Sequence, residues 1–120
     1  MRAPDVKKLV LDHLAETLGV PVASKRLDDG TAAYVLVLAT GGAGRVDKIV
    51  CHVQLTLDSY GPTAGTAFDT ANRVDAAMYG LPASTVPVAS VRGSTPAYSP
   101  DPVSEQDRYT ATYQITAKAT

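Results

Sequence analysis

The sequence has no tryptophan, one phenylalanine and a single cysteine among its 120 residues. Because Cys51 is alone, a disulfide within the chain and a zinc site of several thiolates are both excluded. The 11 basic and 12 acidic residues form no long run of one sign, which argues against direct nucleic-acid binding. No apolar run approaches the roughly 20 residues of a membrane span, and charges interrupt the N-terminal stretch where a signal peptide would be apolar. We therefore expect a soluble protein made in the cytoplasm, with no membrane partner.

The length predicts one domain, residues 1–120, with a single core. Apolar residues make up 45% of the chain and charged residues 19%, which is typical of a folded globular protein. Since aromatic residues are few, branched aliphatics and alanines must fill the core. Association with other subunits would add buried surface to such a lean core.

The stretch from Lys48 to Gly80 shows the clearest pattern, because its hydrophobic period changes from two to about 3.6. Its first part predicts a strand with one buried face, formed by Ile49, Cys51, Val53, Leu55 and Leu57. Its second part predicts a helix with one apolar stripe, formed by Ala64, Ala67, Phe68, Ala71, Val74 and Met78. Cys51 is accordingly expected to be a small buried residue rather than a reactive one.

The remaining elements follow from shorter patterns. A first helix begins after Pro4 and Asp5, and the segments 20–27 and 32–40 are predicted to form a hairpin across an Asp-Asp-Gly turn. Residues 85–93 predict an edge strand, because a proline within it cannot donate to a sheet ladder. The alternating segment 108–118 predicts a final half-exposed strand. The fold class is thus α+β, a largely antiparallel sheet of about five strands with two helices packed on one face, in the order α-β-β-β-α-β-β.

Two segments are predicted to be flexible loops, residues 41–47 and 94–107. The first is glycine-rich, but it lacks the GxxxxGK[ST] pattern and leads into a strand rather than a helix, so a surface loop is favoured over a phosphate-binding loop. The second is rich in Pro, Ser and Asp, and loops of that length in a compact domain are usually functional or disordered.

No combination of residues predicts catalysis. His13 and His52 have no ligand partner at metal-binding spacing, and no GxSxG motif is present. The carboxylate pairs Asp28 with Asp29 and Asp101 with Glu105 lie in turn-like sequence, where acidic residues are common for conformational reasons. We predict no enzymatic activity, no metal and no cofactor.

The chain resembles the tail terminator proteins of long-tailed bacteriophages. The resemblance covers essentially the whole chain and lies in the order of several short stretches. These are DVKKLVLDHLAE, YVLVLAT running into TGGAGRVDK, IVCHVQLTLDSYG, TAFDTANRVDAAMYGL, and a Pro/Asp-rich segment before DRYTATYQITAKA.

The resemblance implies a structural virion protein at the neck end of the tail, assembled in the host bacterial cytoplasm. Such a protein forms a ring, usually a hexamer, that caps the tail tube, stops its polymerisation and provides the surface that joins the head connector. We expect contacts with neighbouring subunits, the tube or the connector from Gly41 to Asp47 and from Pro96 to Arg108. The residues expected to make these contacts are Gly41, Gly42, Gly44, Arg45, Asp47, Tyr98, Asp101, Glu105 and Arg108.

Two alternatives stay open. One is a different neck protein, such as a head completion or connector subunit. The other is a small ligand-binding or regulatory α+β domain, which would require an apolar pocket with a few convergent polar groups.

Overall fold

A computed structural model describes residues 4–27, 30–46 and 50–118 of the chain. The described part contains two helices and six strands, which confirms the predicted α+β class. In chain order they are α1 (Val6–Thr17), β1 (Val22–Ala23), β2 (Tyr34–Val46), β3 (Val50–Gly61), α2 (Ala64–Tyr79), a 3₁₀ turn (Leu81–Ala83), β4 (Val88–Gly93), β5 (Ala97–Tyr98) and β6 (Asp107–Lys118).

The sheet has the strand order β1-β2-β3-β6-β4, and the short β5 pairs with one end of β6. Its three long strands are antiparallel, with Leu57 of β3 opposite Val37 on one side and Ala111 on the other. The predicted hairpin is wrong, because β1 has only two residues and runs parallel to β2. Residues 24–27 lie outside the strands instead, and Leu27 packs against Tyr34 and Tyr60 on the face opposite the helices.

Both helices cover one face of the sheet, as predicted. The Asp5 side chain begins α1 by accepting a hydrogen bond from the Lys8 amide, and Thr63 begins α2 in a reciprocal capping box with Thr66. Between helices and sheet lies the main core, which includes Val10, Leu14, Val35, Val37, Leu55, Leu57, Val74, Met78, Tyr113 and Ile115. Cys51 belongs to this core, which confirms its prediction as a buried small residue.

Two positions in the predicted stripe of α2 are wrong. Phe68 is 46% exposed, and Ala64 is also exposed, whereas Thr70 and Ala77 are buried in their place. Helical spacing identifies the face that can turn inward, but it does not show where the sheet below ends. Phe68 lies near the end of the sheet, over Tyr109.

The glycine-rich segment predicted as a loop is part of β2 as far as Val46. It pairs with β3 through two register shifts, between Ala39 and Gly41 and between Gly41 and Gly44. Gly42 has φ of +125°, and a Cβ there would lie 2.7 Å from the His52 carbonyl oxygen. The segment is therefore a bulged strand that depends on glycine.

Asp47, one of the predicted contact residues, lies outside the described residues. So do Lys48 and Ile49, together with the predicted turn residues Asp28 and Asp29. For Arg45 the structure describes the backbone, which pairs with Cys51.

Candidate interaction surfaces

A buried carboxylate fixes the segment 99–106 on the sheet face opposite the helices. Asp101 is 1% exposed and forms an ion pair with Arg26, with 3.1 Å between Oδ2 and Nε. The Tyr60 hydroxyl donates to the same oxygen at 2.7 Å. The other carboxylate oxygen accepts the backbone amides of Val103 at 2.8 Å and Ser104 at 3.3 Å. Four donors from three parts of the chain thus meet at one side chain.

The ionisation of this cluster follows from its contacts. Burial by itself would raise the pKa of Asp101, but the donated hydrogen bonds and the Arg26 charge outweigh it and lower that pKa to about 2. Burial, together with the hydrogen bond to the carboxylate, raises the pKa of Tyr60 to about 12. Asp101 is therefore an anion and Tyr60 a neutral donor at physiological pH.

Arg108 holds the beginning of the same segment. Its Nε donates to the Ser99 carbonyl oxygen at 2.7 Å, and its Nη1 lies 3.6 Å from the buried carboxylate of Asp58. Beneath the segment, the rings of Tyr34 and Tyr60 are stacked with centroids 4.4 Å apart. Residues 99–106 consequently form a turn that packs on the sheet, and the flexibility predicted for residues 94–107 stays a prediction. We call this region, with Arg26, Asp58, Tyr60, Asp101 and Arg108, the anchored end.

The four contact residues predicted here differ in accessibility. Tyr98 and Glu105 are exposed, as is Val103 between them in sequence, which is 72% exposed. Arg108 is partly buried and Asp101 is fully enclosed. Any effect of Asp101 on a partner must therefore pass through the position of the segment, because the side chain itself is inaccessible.

Three aromatic rings form a row on the helical side of this end. The ring centroids of Phe68 and Tyr109 are 5.2 Å apart, and those of Tyr109 and Tyr98 are 5.4 Å apart. Tyr98 is 49% exposed, and its hydroxyl donates to Asp107 at 2.6 Å. We call these three residues the aromatic strip. Sequence reasoning missed it because α2, β5 and β6 each contribute one ring.

The other predicted contact region lies at the opposite end of the sheet. Gly41 pairs with Gln54 and Gly44 with His52, whereas Arg108 pairs with Tyr60. Eight residues of β3 separate His52 from Tyr60, which corresponds to about 26 Å. We call the bulged part of β2, Gly41 to Val46, the glycine end. The structure therefore does not bring the two predicted regions together.

Polar side chains cover the sheet face between these ends, on the side away from the helices. Gln54 Nε2 donates to Thr40 Oγ1 at 3.1 Å, and Gln114 Nε2 donates to Gln54 Oε1 at 2.6 Å. The His52 ring is hydrogen bonded to Thr116 at 3.2 Å. His52 thus has a polar neighbour on a strand surface, consistent with the structural or surface role predicted for it.

A groove with a volume of about 450 Å³ runs between α1 and the C-terminal half of α2. Its apolar lining includes Leu18, Ala76 and Ala77, and its polar lining residues are His13, Thr17 and Arg73. Arg73 Nη2 donates to the Leu18 carbonyl oxygen at 3.2 Å, next to the C-terminus of α1. We call this feature the interhelical groove.

Within residues 4–27, 30–46 and 50–118, no three His, Cys, Asp or Glu side chains are arranged to hold a metal ion. Neither described helix is long and apolar enough to cross a membrane. Comparisons with models of known protein families and with curated proteins find no match to this chain.

Proposed function

We propose that this protein is a ring-forming tail terminator, which caps the tail tube of a long-tailed bacteriophage, stops its polymerisation and presents the surface that joins the head. The proposal begins from the ordered resemblance of the sequence. The α+β fold predicted from the sequence patterns, with two helices on one face of the sheet, is compatible with that role.

The separation of two unlike surfaces on one sheet is the observation that favours this role most. A ring of identical subunits needs two different patches on each subunit, because every contact in it is heterologous. A protein at a junction must also contact different partners at its two sides. The anchored end and the glycine end lie about 26 Å apart along β3. The first is built around a buried ion pair and the second is an exposed, bulged strand.

The direct test measures assembly and tube capping. Light scattering and negative-stain microscopy are expected to show rings of the 12.5 kDa chain, with six subunits the expected number. Added to the cognate tail-tube protein during polymerisation, the protein should bind tube ends and limit tube length, and tubes polymerised without it serve as the control. A strictly monomeric protein that neither binds nor caps tubes would refute the proposal.

A different neck protein, such as a head completion or connector subunit, could have the same surfaces. Labelling the protein within the virion distinguishes that position from the end of the tail tube.

The interhelical groove is the observation that favours the ligand-binding alternative, since it combines apolar walls with Arg73 and His13. Thermal shifts against a panel of metabolites test it. A saturable shift that is lost when Arg73 is replaced by Ala would support ligand binding.

A further inference from the structure

The aromatic strip has the composition of a contact surface. Phe68 is the only phenylalanine of the chain, and about half of its side chain is exposed. A carboxylate lies beside the rings, because Asp107 accepts the Tyr98 hydroxyl at 2.6 Å. Aromatic residues are enriched at protein interfaces, where each can bury about 150–250 Å². The strip is thus an apolar ridge with an acidic margin.

The interhelical groove has the opposite shape and charge. Small side chains at Ala76 and Ala77 leave space between the helices, and Leu18 forms an apolar wall. Arg73 supplies positive charge at this site while bonding to Leu18 through Nη2. A guanidinium carries five N–H donors, so Arg73 can also bind a carboxylate. The groove can therefore accept an aromatic ring that has an acidic neighbour.

These two surfaces cannot meet within one subunit. Phe68 and Ala77 lie on the same rigid helix, nine residues and about 13 Å apart. A ridge and a groove at different places on one molecule make a heterologous contact, which repeats from copy to copy and closes into a ring when the rotation allows. The charges agree with this pairing, since Asp107 accompanies the ridge and Arg73 the groove.

We infer that the aromatic strip of one copy docks into the interhelical groove of the next copy. This inference rests on the proposed ring and assigns its subunit contact. It moves that contact away from the glycine end, which is then free for the tube or the head connector.

Two surface substitutions and two matched controls test the contact. Phe68→Ser removes the ring that α2 contributes to the strip, and Ala76→Glu fills the groove and places a carboxylate against the acidic margin of the strip. Val103→Ser and Ala15→Glu make similar changes at exposed positions elsewhere. We expect the first two variants to assemble only at about tenfold higher concentration or more, as measured by light scattering. The controls should assemble like the unmodified chain, and circular dichroism should show all four folded.

Mixing the two disabled variants gives the sharper result. Phe68→Ser keeps an intact groove and Ala76→Glu an intact strip, so an equimolar mixture should form dimers of about twice the chain mass and no rings. Rings that persist in either variant, or a mixture that stays monomeric under conditions where the unmodified chain forms rings, would overturn the inference. An unmodified chain that is monomeric at every concentration would also overturn it.

The outcomes separate this inference from the proposed function. Rings that depend on Phe68 and Ala76 but never bind tail tubes would support the contact and refute the tail terminator role. Tube capping by Phe68→Ser with rings intact would refute the contact and leave the tail terminator role standing.

Discussion

The anchored end and the glycine end are built on the same three long strands, yet different interactions hold them. At the anchored end, residues 24–27 and 99–106 cover the outer face of the sheet, and Asp101 joins them to Tyr60. At the glycine end the same face is open, and residues 39–44 are exposed. Positive φ angles at Gly41, Gly42 and Gly44 shape the strand there.

This difference shows how one sheet can provide two kinds of surface. A buried ion cluster fixes the anchored end, so its exposed residues Tyr98, Val103 and Glu105 are held in defined positions. At the glycine end the positive φ angles of the glycines shape the strand, and residues 41–44 are exposed, so hydrogen bonds there compete with water. We expect the surface of the anchored end to be preformed and that of the glycine end to change its shape when a partner binds. A junction protein with both kinds of surface can bind one partner of fixed shape and one of variable shape.

Asp101→Asn should have the largest effect and would test whether the cluster fixes the anchored end. The substitution keeps the shape of the side chain but removes the negative charge that pairs with Arg26 and accepts three hydrogen bonds. A broken buried ion pair typically costs several kcal/mol, so we expect a loss of about 3 kcal/mol in the free energy of unfolding. Urea denaturation measures it. Glu105→Gln, an exposed change in the same turn, is the control and should change stability by less than about 0.5 kcal/mol.

If Asp101→Asn unfolds like its control, the segment is held by packing on Tyr34 and Tyr60 instead. Limited proteolysis would separate these cases. Cleavage within residues 99–106 should increase in Asp101→Asn while the sheet remains intact.

The sequence was sufficient to predict the elements in which the hydrophobic period of the element itself shows which residues are buried. The alternation of Cys51, Leu55 and Leu57 identified the buried face of β3, and the helical stripe with Gly80 after it identified α2. In both cases the burial of a residue follows from its own element, because one face of that element must meet the core.

The anchored end could not be predicted in the same way. Asp101 lies 41 residues from Tyr60 and 75 from Arg26, and turn-like sequence gave its carboxylate an ordinary explanation. The predicted hairpin is wrong because Leu27 packs against Tyr34 and Tyr60 on the outer face of the sheet, and its amide donates to the Tyr34 hydroxyl at 3.4 Å. The loop predicted for residues 41–47 is wrong as far as Val46, because bulges do not preserve the alternation that predicts a strand.

Gly42→Ala should weaken the glycine end by about 2 kcal/mol. A Cβ at this position meets backbone atoms of residues 52–54 at 2.7–2.9 Å, and its φ of +125° is strained for any other residue. Gly44→Ala is the matched control, because its φ of +85° is also strained but its Cβ has open space. It should cost only about 1 kcal/mol by urea denaturation. Equal losses would mean that backbone conformation alone, and not the contact with β3, requires glycine.

Low pH should remove part of the stability that the Asp101 carboxylate gives to the anchored end. The pKa of Asp101 is about 2 in the folded protein, below the ordinary value of 3.8, so the folded state favours the anion. The resulting stability is fully present above pH 5 and is lost as the pH falls toward 2. It corresponds to about 2 kcal/mol. The difference in unfolding free energy between the unmodified chain and Asp101→Asn should shrink by about that amount between pH 5 and pH 2. A difference that is constant with pH would show that the carboxylate gains its stability without a shifted pKa.

The smallest effect on stability is expected for substitutions of the polar side chains on the part of the outer sheet face that residues 24–27 and 99–106 leave uncovered. Gln114 and Gln54 share a hydrogen bond of 2.6 Å, but it is exposed, so water replaces it readily when either partner is removed. Each change to Ala, and the coupling energy between them in a double-mutant cycle, should remain below about 0.5 kcal/mol in the isolated protein. A coupling above about 1 kcal/mol would contradict the distinction drawn between the two ends, because the open face would then be held as firmly as the anchored one. The same pair measured in the assembled ring or on tube ends gives the converse test, since a coupling that grows on assembly would place this face at a contact.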